Sequence, residues 1–314
     1  MTRTDTFFGN EVCCGSYAFI NTVQDEGIDP KIFEITTTVP FGICHRQESD
    51  FSRLLTTYCD PNKGLGRAAE LWGYRQKKRV FRENDEAAEY IVKESRNYHC
   101  LAGPLDMGRL KYLVMPHLYA NMDHYITIFQ DDGNLYCMDS EGIPARRITK
   151  KELKDWLFVG SLPEAEGNIH VRSFERVDFC SDEIRREGAV KNSFDAAIKN
   201  MVGSAEHGQG YHAVENCWNY LKDMPVERWK LSFLYDISFL VQRKMLQQYW
   251  KELADSFCLL GRNAAQEIED IVQKQLEVLG RIFHRLQSEG NIYWKHFHEL
   301  AKLEKQLVGI LQLL

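Results

Sequence analysis

The chain has 314 residues and a mass of 36.6 kDa, a length that suggests two domains. With 44% hydrophobic and 12% aromatic residues it can fill large cores, which excludes a disordered or fibrous protein. A net charge of −6 and a pI near 6.0 lack the basic excess of a dedicated nucleic-acid binder, so no nucleic-acid partner is expected.

The opening residues run from Met1 through charged positions to Glu11 without the apolar core of a signal peptide. No stretch reaches the ~18 uninterrupted apolar residues of a membrane helix, so the expectation is a cytoplasmic protein with no membrane partner. Nine cysteines, at 13, 14, 44, 59, 100, 137, 180, 217 and 258, agree with that. None form a C-x-x-C pair, so neither a disulfide framework nor a structural zinc site is signalled, and no metal is expected.

Taken in chain order, residues 14–26 read as a helix, with Tyr17, Ile20 and Val23 on one face and Gly27 as its stop. Asp29-Pro30 reads as an N-cap followed by proline at the first helical position. Short helices are predicted over 65–73 and 84–96. Strands follow at 100–102, 124–130 and 135–138, the last two joined by the hairpin signal Asp131-Asp132-Gly133-Asn134. Thr149-Lys150-Lys151-Glu152 has the spacing of a capping box and opens a helix through Trp156.

Beyond residue 181 the strand signals vanish. Residues 182–202, 211–222 and 227–257 are helix-compatible, with Pro225 as a break. Ile268, Ile271, Val272, Leu279, Ile282, Phe283 and Leu286 recur at helical steps. After Gly290 the stripe resumes as Phe297, Leu300, Leu303, Leu307, Ile310 and Leu314. These read as two long amphipathic helices whose stripes serve either as core or as a surface for a partner, including a second copy of the chain. The expected fold is α+β: a first domain over 1–180 and an all-α helical domain over 181–314.

Three residues carry chemistry. Cys14 opens the first helix, where free backbone N–H groups and the helix dipole stabilise a thiolate. The small residues Gly15 and Ser16 let a substrate approach the backbone, whose N–H groups can receive an oxyanion. A turn centred on Asp132-Gly133 sets Asp139 opposite Ile126, two residues from His124 on the same face. That diagonal is ~7–8 Å between backbones, within reach of an imidazole and a carboxylate. Asp139 can then orient His124, and His124 can serve a Cys14 nucleophile. Cys13 is the rival; neighbours on a helix point about 100° apart, so only one of the two cysteines can face the histidine. The spacing within His296-x-His298 does not bring two ligands to one helix face.

A cysteine starting an N-terminal helix, with a His–hairpin–Asp unit 110 residues later, resembles the papain-like cysteine fold. It is similar in particular to the bacterial peptidases that cleave double-glycine leader peptides. The matching stretches are Cys14-Gly15, His124-Tyr125-Ile126-Thr127-Ile128 and Met138-Asp139-Ser140. Those peptidases carry a Gln before the cysteine for the oxyanion, where the nearest amide here is Asn10, and a Pro where this chain has Ser140.

Residues 8–160 more closely resemble the N-terminal domain of the butirosin biosynthesis protein H family. The resemblance rests on Cys14 with Ala18-Phe19, on Phe41-Gly42, on Gly103-Pro104-Leu105-Asp106-Met107-Gly108 with Leu110-Lys111-Tyr112-Leu113, on Asp123-His124-Tyr125, and on Asp139-Ser140-Glu141-Gly142-Ile143-Pro144. It implies an acyltransferase that takes an acyl or aminoacyl group from an acyl or peptidyl carrier protein through a Cys14 thioester. A small amine accepts the group in natural-product biosynthesis, and the phosphopantetheine arm enters only as part of the substrate, with no separate cofactor. A cysteine peptidase or amidase with the same triad, or a non-catalytic binding module on that scaffold, are the alternatives. Asp106 either binds a cationic acceptor amine or caps a turn. Carrier proteins are typically acidic, and the densest basic cluster is Arg75, Lys77, Lys78, Arg79 and Arg82.

Overall fold

A computed structural model describes residues 13–46, 54–56, 60–159, 165–203, 208–256 and 261–312, together with Phe7 and Leu162. The chain is mixed α/β and divides into two compact units. One comprises 1–33 and 65–186; the other comprises 34–64 and 187–314. The switch from mixed to helical grammar near residue 181 therefore lies close to the 186/187 boundary. Segment 34–64, read from the sequence as part of the first domain, belongs instead to the helical unit. Its Ile35, Phe41, Ile43, Leu54 and Leu55 are buried in the helical core. Nothing local distinguishes apolar residues destined for one core from those destined for another, so sequence order misassigns them.

The first unit is built on a six-stranded antiparallel sheet. Its strands are β1 (Tyr74–Phe81), β2 (Cys100–Asp106), β3 (Asp123–Asp131), β4 (Asn134–Asp139), β5 (Ile143–Ile148) and β6 (Ile169–Arg176). The spatial order is β1-β6-β2-β3-β4-β5. The β3–β4 hairpin forms as its turn residues require. Asp132 and Gly133 both take positive φ, 46° and 75°, and Asp131 pairs with Asn134. Positive φ at both central positions matches the twist of the flanking strands and sets their register.

Strands β1, β5 and β6 go beyond the sequence expectation. β1 is an edge strand and mostly exposed, so it lacks the apolar alternation that marks a half-buried strand. The basic cluster 75–79 thus lies on an edge strand, where charged side chains discourage pairing with another chain.

Helix α1 (Cys14–Val23) lies on one face of the sheet, where Thr127 Oγ1 donates to the Ala18 carbonyl at 2.7 Å and shares a 3.0 Å bond with Thr22 Oγ1. Phe19 of α1 stacks on Phe33 and meets Phe174 of β6 edge-on. Helix α2 (Pro30–Thr37) starts where Asp29 Oδ1 accepts the Lys31 N–H at 2.7 Å. Helix α3 spans Pro61–Leu71. On the other face, α4 (Asn84–Glu94) and α5 (Lys150–Trp156) cover a core of Ile126, Ile128, Cys137, Leu153 and Trp156. Both capping-box bonds of α5 are present between Thr149 and Glu152.

The second unit contains α6 (Asp182–Val202), α7 (Tyr211–Leu221), α8 (Lys230–Ser256), α9 (Arg262–Glu289) and α10 (Trp294–Leu311). Gly290, at φ 64°, ends α9 in the left-handed conformation that glycine adopts without strain. The predicted stripes are core: Ile268, Val272, Leu279, Ile282 and Leu286 of α9 and Phe297, Leu300 and Leu307 of α10 are buried. Leu314 lies outside the described residues. Among the described residues no helix is long and apolar enough to cross a membrane.

Candidate active site

Helix α1 runs alongside β3 in the same direction. Ala18 and Thr22 meet Thr127, and one turn earlier Gly15 lies beside the Tyr125 ring. The first residue of the helix therefore meets the first residues of the strand. There the Cys14 sulfur neighbours the His124 ring and raises its pKa.

The other partner of His124 comes from the hairpin. Thr127 pairs with Met138 and Ile128 with Cys137, a register that carries Asp139 to the level of Ile126. The diagonal contact closes: His124 Nε2 is 2.7 Å from Asp139 Oδ1. With Nε2 engaged by the carboxylate, Nδ1 is the ring nitrogen left for Cys14. The sequence expectation and the structure bring the same three side chains together.

The pair is dry, His124 being 2% exposed and Asp139 0%. Burial disfavours the imidazolium, but the adjacent Asp139 carboxylate and the Cys14 sulfur outweigh it and hold the His124 pKa well above its ordinary value. Burial likewise disfavours the Asp139 carboxylate. The His124 charge, the Glu141 N–H at 2.9 Å and the Tyr112 hydroxyl at 2.5 Å overcome this and keep its pKa below the usual value. Both shifts favour a charged ring beside an ionised carboxylate.

Tyr112 was legible only as part of a segment, not as a member of the site. Its pKa is pushed well above 10 by burial and by the Asp139 charge, so the phenol remains a donor. Among the other described cysteines, burial pushes Cys100 and Cys137 up to about 12 and Cys217 well above the ordinary thiol value. Those thiols stay protonated. Cys13 immediately precedes α1 and is 8% exposed, whereas Cys14 is only partly buried.

Three further predicted positions fare differently. Asn10 lies outside the described residues. A Cβ at Gly15 would make ordinary contacts of 3.7 Å with Leu65 and Tyr125, so packing alone does not demand glycine there. Asp106 is buried and turns inward, its Oδ1 accepting the N–H groups of Gly108 at 2.9 Å and Asn121 at 3.0 Å. Of its two readings the structure gives it turn capping, since a carboxylate enclosed by its own loop is not offered to a substrate amine. Among the described residues no three His, Cys, Asp or Glu side chains group as a metal site.

The arrangement can support nucleophilic attack by sulfur, with one histidine moving the proton and a carboxylate orienting it. No known family model matches the chain. It is 25% identical over 166 residues to the uncharacterized protein YobF of Bacillus subtilis (strain 168). That match covers 51% of this chain and 53% of YobF, so the similarity spans about half of each protein.

Proposed function

We propose that the protein is a cysteine acyltransferase whose first unit is a papain-like domain. In this reading it moves an acyl or aminoacyl group from a carrier-protein thioester, through a Cys14 thioester, to an amine. The observation that carries it is the His124 ring, bonded to the Asp139 carboxylate at 2.7 Å and neighboured by the Cys14 sulfur. The motif resemblance to the butirosin biosynthesis protein H family supplies the donor and acceptor classes.

The Cys14 thiolate attacks the thioester carbonyl. The tetrahedral intermediate collapses as the C–S bond to the carrier breaks, and the departing thiolate takes the proton from His124. An amine then attacks the acyl-Cys14 carbonyl, gives its proton to His124 and expels the Cys14 thiolate, leaving an amide. His124 is acid in the first half and base in the second. Exchange between thioesters is nearly isoenergetic, and amide formation draws the sequence forward. Water in place of the amine would make the same site a hydrolase.

Intact-protein mass spectrometry after incubation with simple acyl-thioesters tests this. Wild type and Cys13→Ala should gain one acyl group, and Cys14→Ala should gain none. Absence of an adduct, with turnover of peptide substrates, would replace the transferase by a hydrolase. Silence in both assays would leave a binding module on this scaffold.

A further inference from the structure

Both oxygens of Asp139 are committed. Oδ1 faces His124 Nε2 at 2.7 Å and the Glu141 N–H at 2.9 Å, while Oδ2 receives the Tyr112 hydroxyl at 2.5 Å. A carboxylate held by one oxygen can swing about its terminal torsion, which is broad and soft. In a fully buried site an unbonded Oδ2 would also carry the full cost of lost hydration. The phenol removes both problems.

Tyr112 is itself held. Its ring meets Trp156 edge-on, with centroids 5.1 Å apart. The Arg146 guanidinium lies 5.1 Å above the Tyr112 ring and is tied to Glu152 at 3.0 Å. The loop that carries Tyr112 joins β2 to β3 and is closed at its base. Asp106 binds the Gly108 and Asn121 N–H groups, and the Met107 N–H donates to the Met122 carbonyl at 2.9 Å. The loop ends two residues before His124, so one covalent segment supplies the histidine and the group that holds its carboxylate.

We infer that Tyr112 is a positioning residue of this site, acting through Asp139 to aim Oδ1 at His124. Asp106 serves the same end by closing the loop. The inference rests on the acyl-transfer reading for its purpose, although the geometry is independent of the substrate. The charged and titratable groups around the Tyr112 hydroxyl are Asp139 and Cys137 of β4 and Arg146 of β5, with His124 across Asp139 and Glu152 behind Arg146.

The test uses the full chain and iodoacetamide, whose carbon forms a bond to sulfur as iodide leaves. Cys14 alkylation is followed by mass spectrometry across pH in wild type, His124→Ala and Tyr112→Phe, and the His124 ring is titrated by nitrogen NMR. Tyr112→Phe keeps the ring packed on Trp156 and removes only the hydroxyl. It should slow Cys14 alkylation at neutral pH by about ten-fold and move the His124 titration down toward the ordinary histidine range. Wild-type alkylation and an unmoved titration in Tyr112→Phe would overturn the inference. Should that variant fail to fold, 3-fluorotyrosine at position 112 alters the acidity of the phenol at nearly constant size. An unchanged His124 titration there would likewise overturn it. Wild-type alkylation indifferent to His124→Ala would instead remove the acyl-transfer reading, and the NMR titration would still decide the role of Tyr112.

Discussion

His124 and Asp139 touch on the diagonal of the β3–β4 hairpin. The register brings Asp139 level with Ile126, and the imidazole crosses that gap to place Nε2 2.7 Å from Oδ1. The contact depends on both strands keeping step from the turn at Asp132-Gly133, because a slip of one residue would put the two side chains on opposite faces.

Asp139→Asn keeps the shape of the side chain and removes its charge. The turnover of an acyl-thioester should fall by about 10⁴, the loss seen where the orienting carboxylate of a triad is neutralised. The His124 titration should fall with it, because burial then acts on the imidazolium unopposed. A variant of wild-type rate would dissociate Asp139 from the chemistry.

The same pair sets a pH signature of stability. The His124 pKa is raised in the folded state, so its contribution is complete below the ordinary histidine pKa and is lost as pH rises through the higher folded value. The Asp139 pKa is depressed, so its contribution is present above the ordinary aspartate range and is lost as pH falls through the lower folded value. Urea unfolding of wild type against Asp139→Asn should show its largest difference between these limits, near pH 5–6, narrowing on both sides. A difference independent of pH would contradict this assignment.

Gly103 tests the packing of β2 against β3 beside the histidine. A Cβ there would meet the Tyr125 ring at 2.4 Å and the His124 carbonyl oxygen at 2.9 Å. Gly103→Ala should cost about 1–3 kcal/mol of stability in a denaturant titration and shift the His124 resonances. A neutral substitution would mean that the strands move apart readily.

The helical unit holds a buried ion pair between Lys244 of α8 and Glu304 of α10, with Gln247 Oε1 3.2 Å from the ammonium. Lys244→Met alone strands the carboxylate and should cost about 3–5 kcal/mol. Lys244→Met with Glu304→Leu should recover much of that loss, since well-packed apolar pairs often replace buried ion pairs without penalty. Equal stability of the single and double variants would show that the pair is not coupled.

If an acidic carrier docks on the basic edge strand, Lys78→Glu with Arg79→Glu should raise KM for a carrier-bound donor several-fold and spare a small thioester. Strand β1 stands three places from β3 in the sheet, roughly 14 Å at the usual strand spacing. Its charge can therefore be reversed without touching the triad. An unchanged KM for the carrier-bound donor would move docking elsewhere.

Contacts close along the chain were legible from residue order. The Asp132-Gly133 turn sets the hairpin register and with it the meeting of His124 and Asp139, because a two-residue turn leaves one in-step pairing. Asp29 before Pro30, the Thr149–Glu152 box and the helical stripes of α9 and α10 were legible for the same reason: each is decided within a few residues.

What joins distant segments was decided by packing. That Cys14 meets His124 depends on α1 lying along β3 with Thr127 bonded to Ala18. The match of Tyr112 to Asp139 depends on a closed loop whose base Asp106 ties. Ile35 and Phe41 enter the helical core although their neighbours before residue 34 belong to the unit built on the sheet. Local sequence specifies turn chemistry and periodicity, whereas the choice among apolar partners is made by which surfaces exclude water together.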